Sequence, residues 1–276
     1  MTNRVVLIDC FPVNLAEFYN RLAECYPEED FVYRTPSGRL RVNFIWRMLH
    51  RFPNGVLLDV GCNRGYLSSG YKMGRIVGVD IALPALRIAK SRYHDNLYIQ
   101  GDMERLDFLR DSSVKNILCS ESIEHIEDAE GVVRSFFRII KPGGYLLITC
   151  PNYGRIKPQY LSDDIPESFG AASPEGYIHT AYRPSELAGM AVEAGFELLE
   201  SGTFEKETRF WQAALGIIFE RLWHNRSRYM RRALFRMMII SLNVFYGLIH
   251  LLQIDYLMRA FLRRGPRSYL LARKPE

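Results

Sequence analysis

Between residues 55 and 206, short apolar runs alternate with segments whose apolar residues recur every third or fourth position. GVLLDVG (55–61), RIVGVDI (75–81), NLYIQGD (96–102), VKNILCSE (114–121), GYLLITCP (144–151) and ELLESGTFEKE (197–207) read as strands. LPALRIAKSRY (83–93), AEGVVRSFFRII (129–140) and RPSELAGMAVEAGF (183–196) read as helices. The first has Pro84 in its opening turn, the second is stopped by KPGG, and the third opens on Pro184 with a Ser cap and closes on Gly195. GYLSSGYKM (65–73) reads as a further helix. Repeated strand–helix alternation predicts an α/β, doubly wound parallel sheet with helices on both faces. Such sheets bind ligands at the carboxyl ends of their strands. The informative polar residues fall there: Asp59–Gly65, Asp80, Asp102, Glu121–His125 and Pro151–Asn152.

Composition changes this picture in two places. Net charge is +5, but Arg221 to Lys274 holds twelve Lys/Arg against one acid, Asp255, so the rest of the chain is net acidic. A basic segment on an acidic body points to a local anionic partner. The five cysteines (Cys10, Cys25, Cys62, Cys119, Cys150) are scattered without a C-x-x-C pair, as expected of buried thiols in a reducing compartment. The N-terminal apolar run before Asp9 is too short for a secretory signal, so the expected location is cytoplasmic.

The turn DVGCNRG (59–65) follows the first strand. Gly61 and Gly65 allow a ligand close to the backbone. A dinucleotide fingerprint would need Gly at 61, 63 and 66, whereas 63 is Asn and 66 is Tyr. Asp59 in the loop repels a pyrophosphate and attracts an ammonium, so the ligand reads as a nucleoside carrying an amino acid. Asp80 is placed to accept from ribose hydroxyls and Asp102 from an adenine amino group, with Met103 beside it. Any one of these acids alone could be a cap; three at successive strand ends are a pattern.

LLDVGCNRG, IVGVD, GDME, SIEHIED, IIKPGGYLLITCPN and YRPSELAGMAVEAGF together resemble the class I S-adenosylmethionine-dependent methyltransferases over residues 53–206. The resemblance implies a Rossmann-like seven-stranded sheet with a reversed last strand, which RSYLLARK (267–274) suits. It assigns Asp59, Gly61 and Gly65 to the methionine end of the cofactor, Asp80 to the ribose, and Asp102 and Met103 to the adenine. Cys62, Asn63, Ile81 and Ser120 complete the implied cofactor-binding set. Asn63 stands where the family more often has Gly, a substitution that left-handed backbone tolerates. The implied domains are an N-terminal helical cap (1–52), in which LAEFYNRLAECY and RLRVNFIWRMLH read as helices around the turn RTPSGR, a methyltransferase core (53–208), a helical insertion (209–264) and the last strand (265–276).

The stretch SESIEHI (120–126) carries Glu121, Glu124 and His125 just past a strand. Members of the family that methylate exocyclic amines of nucleobases have an Asn/Asp-Pro-Pro-aromatic turn at this place, which Ser120–Ile123 lacks. Glu-x-x-Glu-His is similar to the pattern of ubiquinone-pathway and small-RNA O-methyltransferases. There it binds a divalent cation (Mg, Mn or Zn) with a second histidine, a place His179 could take. A base or substrate contact without metal, or a charged and packed helix start, remains open for the same residues. The expected activity is O-methylation of a lipid-linked, quinone or sugar-like molecule. The alternatives are a C- or N-methyltransferase of the same fold and a non-catalytic nucleoside-binding module.

The insertion is helical by pattern, and residues 237–254 contain no Lys, Arg, Asp or Glu. Eighteen such residues approach the ~20 needed to cross a bilayer. A chain that must rejoin the sheet crosses an even number of times, and the other apolar stretch, 210–219, is too short. The pattern predicts helices lying in the headgroup boundary of an anionic membrane, with Arg228, Arg231, Arg232 and Arg236 along one side. The expected protein is peripheral, at the inner face of a membrane. A cap packed on the body or a homodimer interface accounts for the same pattern. Nucleic acid is not expected, because the segment is too apolar.

Overall fold

The computed structural model describes residues 6–7, 13–25, 32–153, 179–208, 228–262 and 264–276. Residues 209–227 of the expected insertion, Cys10 and the side chains of Arg228, Arg231 and Arg232 lie outside the described residues. The chain divides into two compact units. One comprises Met1–Tyr26, Ile45–Gly202 and Arg267–Glu276; the other comprises Pro27–Phe44 and Thr203–Pro266.

The first unit is built on a sheet of β1 (Val6–Leu7), β2 (Leu57–Val60), β3 (Ile76–Asp80), β4 (Leu97–Gln100), β5 (Val114–Ser120), β6 (Ile140–Pro151), β7 (Glu197–Phe204) and β8 (Arg267–Arg273), in the order β1-β4-β3-β2-β5-β6-β8-β7. β2 pairs in parallel with β3 and β5, and β5 with β6. β8 runs antiparallel to β6. The expected seven-stranded arrangement with a reversed last strand is therefore present. Val6–Leu7 adds a short parallel edge against Ile99–Gln100; two residues carry too little pattern to announce themselves.

Helices α1 (Val13–Cys25), α3 (Leu83–Arg92), α4 (Ala129–Ile139) and α5 (Pro184–Glu193) belong to this unit, and α2 (Pro36–Leu49) runs from one unit into the other. β2 is buried along its whole length, as a central parallel strand should be. α4 starts where the Asp128 carboxylate accepts from Gly131 N–H at 2.8 Å, and it buries Val132, Val133, Phe136 and Ile139 at helical spacing. β6 begins directly after α4, and residues 141–144 form an irregularity within it: Val114 faces Ile140 while Asn116 already faces Tyr145. Buried Asn116 reconciles the two, accepting from Tyr145 N–H at 3.3 Å and donating to Pro53 O at 2.8 Å and Tyr71 Oη at 2.9 Å. α5 is capped by Arg183 rather than by Ser185, with the Glu186 carboxylate accepting from Arg183 N–H at 2.7 Å.

The expected helix at 65–73 is only a single 3-10 turn, Ser68–Gly70. Gly65 has φ +73°, and the Trp46 indole takes the Leu67 carbonyl at 3.0 Å. A tertiary contact thus removes an acceptor that a helix would need.

In the second unit Thr35 Oγ1 accepts from Gly38 N–H at 3.0 Å and caps α2, and Phe44 stacks on Phe204 with ring centroids 4.1 Å apart. Buried Glu205 accepts from Arg41 Nε at 3.0 Å and from the Ser37 hydroxyl. Helices α6 (Arg228–Leu251) and α7 (Ile254–Phe261) meet at 85°, where Gln253 adopts φ +57°. The fully buried Asp255 carboxylate holds this elbow through His250 Nδ1 at 3.0 Å and Arg259 at 3.6 Å, while Arg259 also meets Glu207 at 2.9 Å.

Candidate active site

The carboxyl ends of β2, β3, β4 and β5 carry the residues singled out in the sequence. After β2 the chain turns through Gly61 (φ +72°), Asn63 (φ +46°) and Gly65 (φ +73°). A Cβ at Gly61 would collide with Ser122 Oγ, so glycine is needed there for space as well as for dihedral. Ser122 donates to Ser120 O at 3.1 Å and to Gly61 O at 3.4 Å, tying the end of β5 to the turn after β2. Met103 also approaches Gly61. Cys62 is buried, with its thiol pushed up by burial.

Asp80 fixes the other side of the turn. Its two oxygens accept from Asn63 N–H at 2.7 Å and Ala82 N–H at 2.8 Å. Gln100 donates to Ile81 O at 3.0 Å, holding β4 against the residue after β3. Asp102 is half-buried and accepts from Glu104 N–H at 2.9 Å. Asp80 and Asp102 therefore serve local backbone as caps do, at the strand ends where a ribose and a base were expected.

Asp59 is different. It is 3% exposed, and its Oδ2 has no hydrogen-bond partner among the described residues. Burial, partly offset by the Ser68 hydroxyl, pushes its carboxyl up to about 7, with the Asp80 charge adding to the rise. A buried carboxylate beside a glycine-lined turn fits a ligand bearing a cationic ammonium or sulfonium, whose charge would stabilise the ionised form. S-adenosylmethionine carries both groups.

The second half of the site follows β5. Residues Ile123–His125 form one 3-10 turn that buries Glu124 at 2% exposure. Glu124 O accepts from Thr180 N–H at 2.7 Å, and Pro151 O accepts from Tyr182 N–H at 3.0 Å, which brings residues 179–182 to the ends of β5 and β6. One ligand atom each of Glu124, His125 and His179 lies within 4.8 Å of the others. The two imidazoles are 4.9 Å apart between centroids, and Tyr19 stands edge-on to His125 at 6.2 Å. A carboxylate and two imidazoles form a donor set that suits a divalent metal of borderline character.

Glu121 stands outside this group. It adopts φ +56°, accepts from Thr149 Oγ1 at 3.0 Å and forms an ion pair with Arg267. Thr149 in turn shares a 2.7 Å hydrogen bond with Ser120. Arg267 and Thr149 were not singled out by sequence. Arg267 is the first residue of β8, opposite Pro151, and only the reversed direction of that strand puts it at the carboxyl ends of β5 and β6. The sole signal in sequence was its place at the head of a reversed strand.

Comparison with known proteins agrees with this layout. Residues 58–148 match a family model described as a methyltransferase domain. The ubiquinone biosynthesis O-methyltransferase of Nitrosomonas europaea is 29% identical over 210 residues, covering 71% of this chain and 86% of that protein. Among solved structures, the [4+2]-cyclase SpnF superposes with a TM-score of 0.62 at 16% identity, over 99% of both chains. The phosphoethanolamine N-methyltransferase 2 of Haemonchus contortus, solved with S-adenosyl-L-methionine, gives 0.55 at 18% identity, over 88% of this chain and 54% of that one. The chain thus spans about half of the Haemonchus protein. Identities this low establish the fold, while the reaction is carried by the residues.

Proposed function

We propose that this chain is a class I S-adenosylmethionine-dependent methyltransferase, a reading that the matched methyltransferase-domain model and the O-methyltransferase relatives support, and that it methylates a hydroxyl oxygen at Glu124, His125 and His179. The observation that carries the reading is the convergence of these three side chains just past β5, next to the turn that Ser122 ties to Gly61. The acceptor class is a diol or phenol on a quinone-type, lipid-linked or sugar-like molecule. The names of the curated relatives, ubiquinone biosynthesis O-methyltransferases, support this class.

In the proposed reaction the acceptor oxygen forms a C–O bond to the methyl carbon as the S–C bond breaks, and the sulfonium leaves as a neutral thioether. With no cation on the imidazoles the hydroxyl proton passes to His125 or His179; with a cation held there it would pass to solvent water. Asp59 orients the amino-acid end of the cofactor, and the Gly61 turn lets its backbone approach. Much of the acceleration comes from holding oxygen, carbon and sulfur in line. Glu124, His125 and His179 could hold a divalent cation, which would supply Lewis acidity that lowers the pKa of the bound hydroxyl. Glu121, paired with Arg267, acts as a positioning residue for the wall behind this group.

Exhaustive dialysis against a chelator, followed by turnover and cofactor-binding assays, tests the reading. Turnover is expected to vanish while cofactor affinity stays the same, and His179→Ala should behave alike. If activity survives chelation but His125→Ala is inactive, His125 is a general base and no metal takes part. Full activity under both treatments would reduce the cluster to a packed turn.

A further inference from the structure

α6 has two apolar faces. One is directed inward: Ile239, Leu242 and Ile249 are buried, and Tyr246 packs with Leu242 and Ile249. The other consists of Ile240, Val244, Leu248 and Leu251, spaced four, four and three apart on the opposite side, and all are exposed, Leu251 at 78%. Arg236, Asn243 and His250, seven residues apart, form a polar seam between the two faces. α7 continues the outer face past the elbow with Leu257 and Phe261, the latter 80% exposed. A helix apolar on two sides in a water-soluble setting requires something to cover the second side.

We propose that this outer face of α6 and α7 lies in the headgroup boundary of an anionic lipid bilayer. Three observations select lipid over other covers. First, α6 and α7 contain five arginines and one carboxylate, Asp255, which is fully buried against His250 and Arg259; among the described side chains the exposed charges are Arg236 and Arg259, the latter also paired with buried Glu207. A second copy placed on this face would set like charge against like, whereas anionic lipid complements it. Second, Tyr256 is exposed beside the apolar stripe, with the Arg259 guanidinium over its ring at 5.2 Å. An aromatic ring under a cation suits the depth where acyl chains give way to headgroups. Third, no single described helix is long and apolar enough to cross a membrane, and the pair of Arg236–Leu251 and Ile254–Phe261, which together have the length and composition, is broken by an 85° bend. β7 and β8 are neighbours in the sheet, so the chain between them leaves and returns on one side. An 85° elbow with apolar residues on both arms is a shape for lying in a surface. The inference is independent of the methyl-transfer reading, since lipid binding requires no turnover.

The test uses the full chain with vesicles of phosphatidylcholine alone or phosphatidylcholine with phosphatidylglycerol. The protein should co-sediment with the anionic vesicles, at least about tenfold less with the neutral ones, and partly detach in high salt as the arginine attraction is screened. Leu248→Glu and Phe261→Ser should each weaken partitioning by about tenfold or more, with melting temperature and cofactor affinity unchanged. Phe261 is 80% exposed, so Phe261→Ser decides the matter if Leu248→Glu disturbs folding. A wild type that stays in the supernatant overturns the proposal. So does equal sedimentation of both variants, or a solution dimer that Phe261→Ser dissociates without any effect on vesicles, which would assign the face to a second copy.

Discussion

Both units bury carboxylates, but they treat them in opposite ways. In the second unit the buried acids stand against basic side chains: Glu205 against Arg41, Asp255 against His250 and Arg259, and Glu207 against the same Arg259. In the first unit Asp59 is buried with no basic side chain paired to it among the described residues, whereas an unmatched oxygen alone, which Asp255 Oδ1 also is, does not set it apart; its carboxyl is pushed up to about 7. Paired burial is architecture, because it fixes a geometry without inviting a ligand. Unmatched burial opposes stability, and it is tolerated where an external cation completes the pair. The same contrast holds for apolar surface. β2 in the first unit is buried throughout, while the helices of the second leave an apolar face outside. The first unit leaves a buried charge without a basic partner, and the second leaves an apolar face outside.

The largest effect is expected from breaking a pair. Arg41→Ala leaves the Glu205 carboxylate, 4% exposed, without its guanidinium. Loss of one partner from a buried pair costs about 3–5 kcal/mol. Denaturant unfolding should show that loss, with cofactor affinity unchanged. If Arg41→Ala were as stable as wild type, Glu205 would be no better matched than Asp59 and the contrast would fail.

Asp59→Asn should do the reverse, weakening cofactor binding by at least about tenfold while making the free protein more stable at neutral pH and above. The sign follows from the direction of the shift. The folded carboxyl titrates near 7 against 3.8 in the unfolded chain, so the folded state holds the extra proton between those values. Wild-type stability should therefore fall as pH rises across that window, by up to about 1.4 kcal/mol per pH unit, and level off above it. Asp59→Asn should lack this slope. Cofactor affinity should rise with pH up to about 7, because a cationic ligand favours the ionised carboxylate. Calorimetry at pH 6 in buffers of different ionisation enthalpy should detect proton release on binding.

Asp80→Ala is expected to act at a smaller scale and by a mixed route. It removes acceptors for Asn63 and Ala82 N–H as well as the expected contact with ribose. Affinity should drop about tenfold, with a modest fall in melting temperature that Asp59→Asn does not share. An unchanged affinity would leave Asp80 as a cap alone.

The sheet was legible because buried parallel strands are near-continuous apolar runs: LLDV and the ILC of β5 needed only length and flanking Gly or Asp to be read. Residues 65–73 were misread because a helical pattern yields to one tertiary contact, Trp46 packing on Gly70 and bonding the Leu67 carbonyl. Glu124, His125 and His179 were visible as a motif plus a distant histidine. Glu121 was visible too, but its ion pair with Arg267 was not, since sequence spacing does not reveal that a left-handed residue faces the head of an antiparallel strand. The elbow's outer face was foreshadowed by the uncharged stretch 237–254, but which residues of it lie outside depends on how α6 is rotated about its axis.

The smallest expected effect distinguishes two positions of one turn. Gly61 and Asn63 both have positive φ, at +72° and +46°. At Gly61 the dihedral coincides with a collision between any Cβ and Ser122 Oγ, so Gly61→Ala should disrupt the site and cofactor binding with it. At Asn63 a side chain is already accommodated, and the left-handed region is one that Asn tolerates. Asn63→Ala keeps the Cβ but loses the local polar contacts that make this region acceptable, and it should cost about 1 kcal/mol. Asn63→Gly removes the dihedral cost and adds freedom to the unfolded chain, two terms of opposite sign that each reach about 0.5–1 kcal/mol. Stability should therefore move by no more than a few tenths of a kcal/mol, with Asp80 still accepting from the backbone N–H of residue 63. A loss of cofactor affinity on Asn63→Gly would mean that the amide side chain itself meets the ligand, and that this departure from the family pattern contributes to binding.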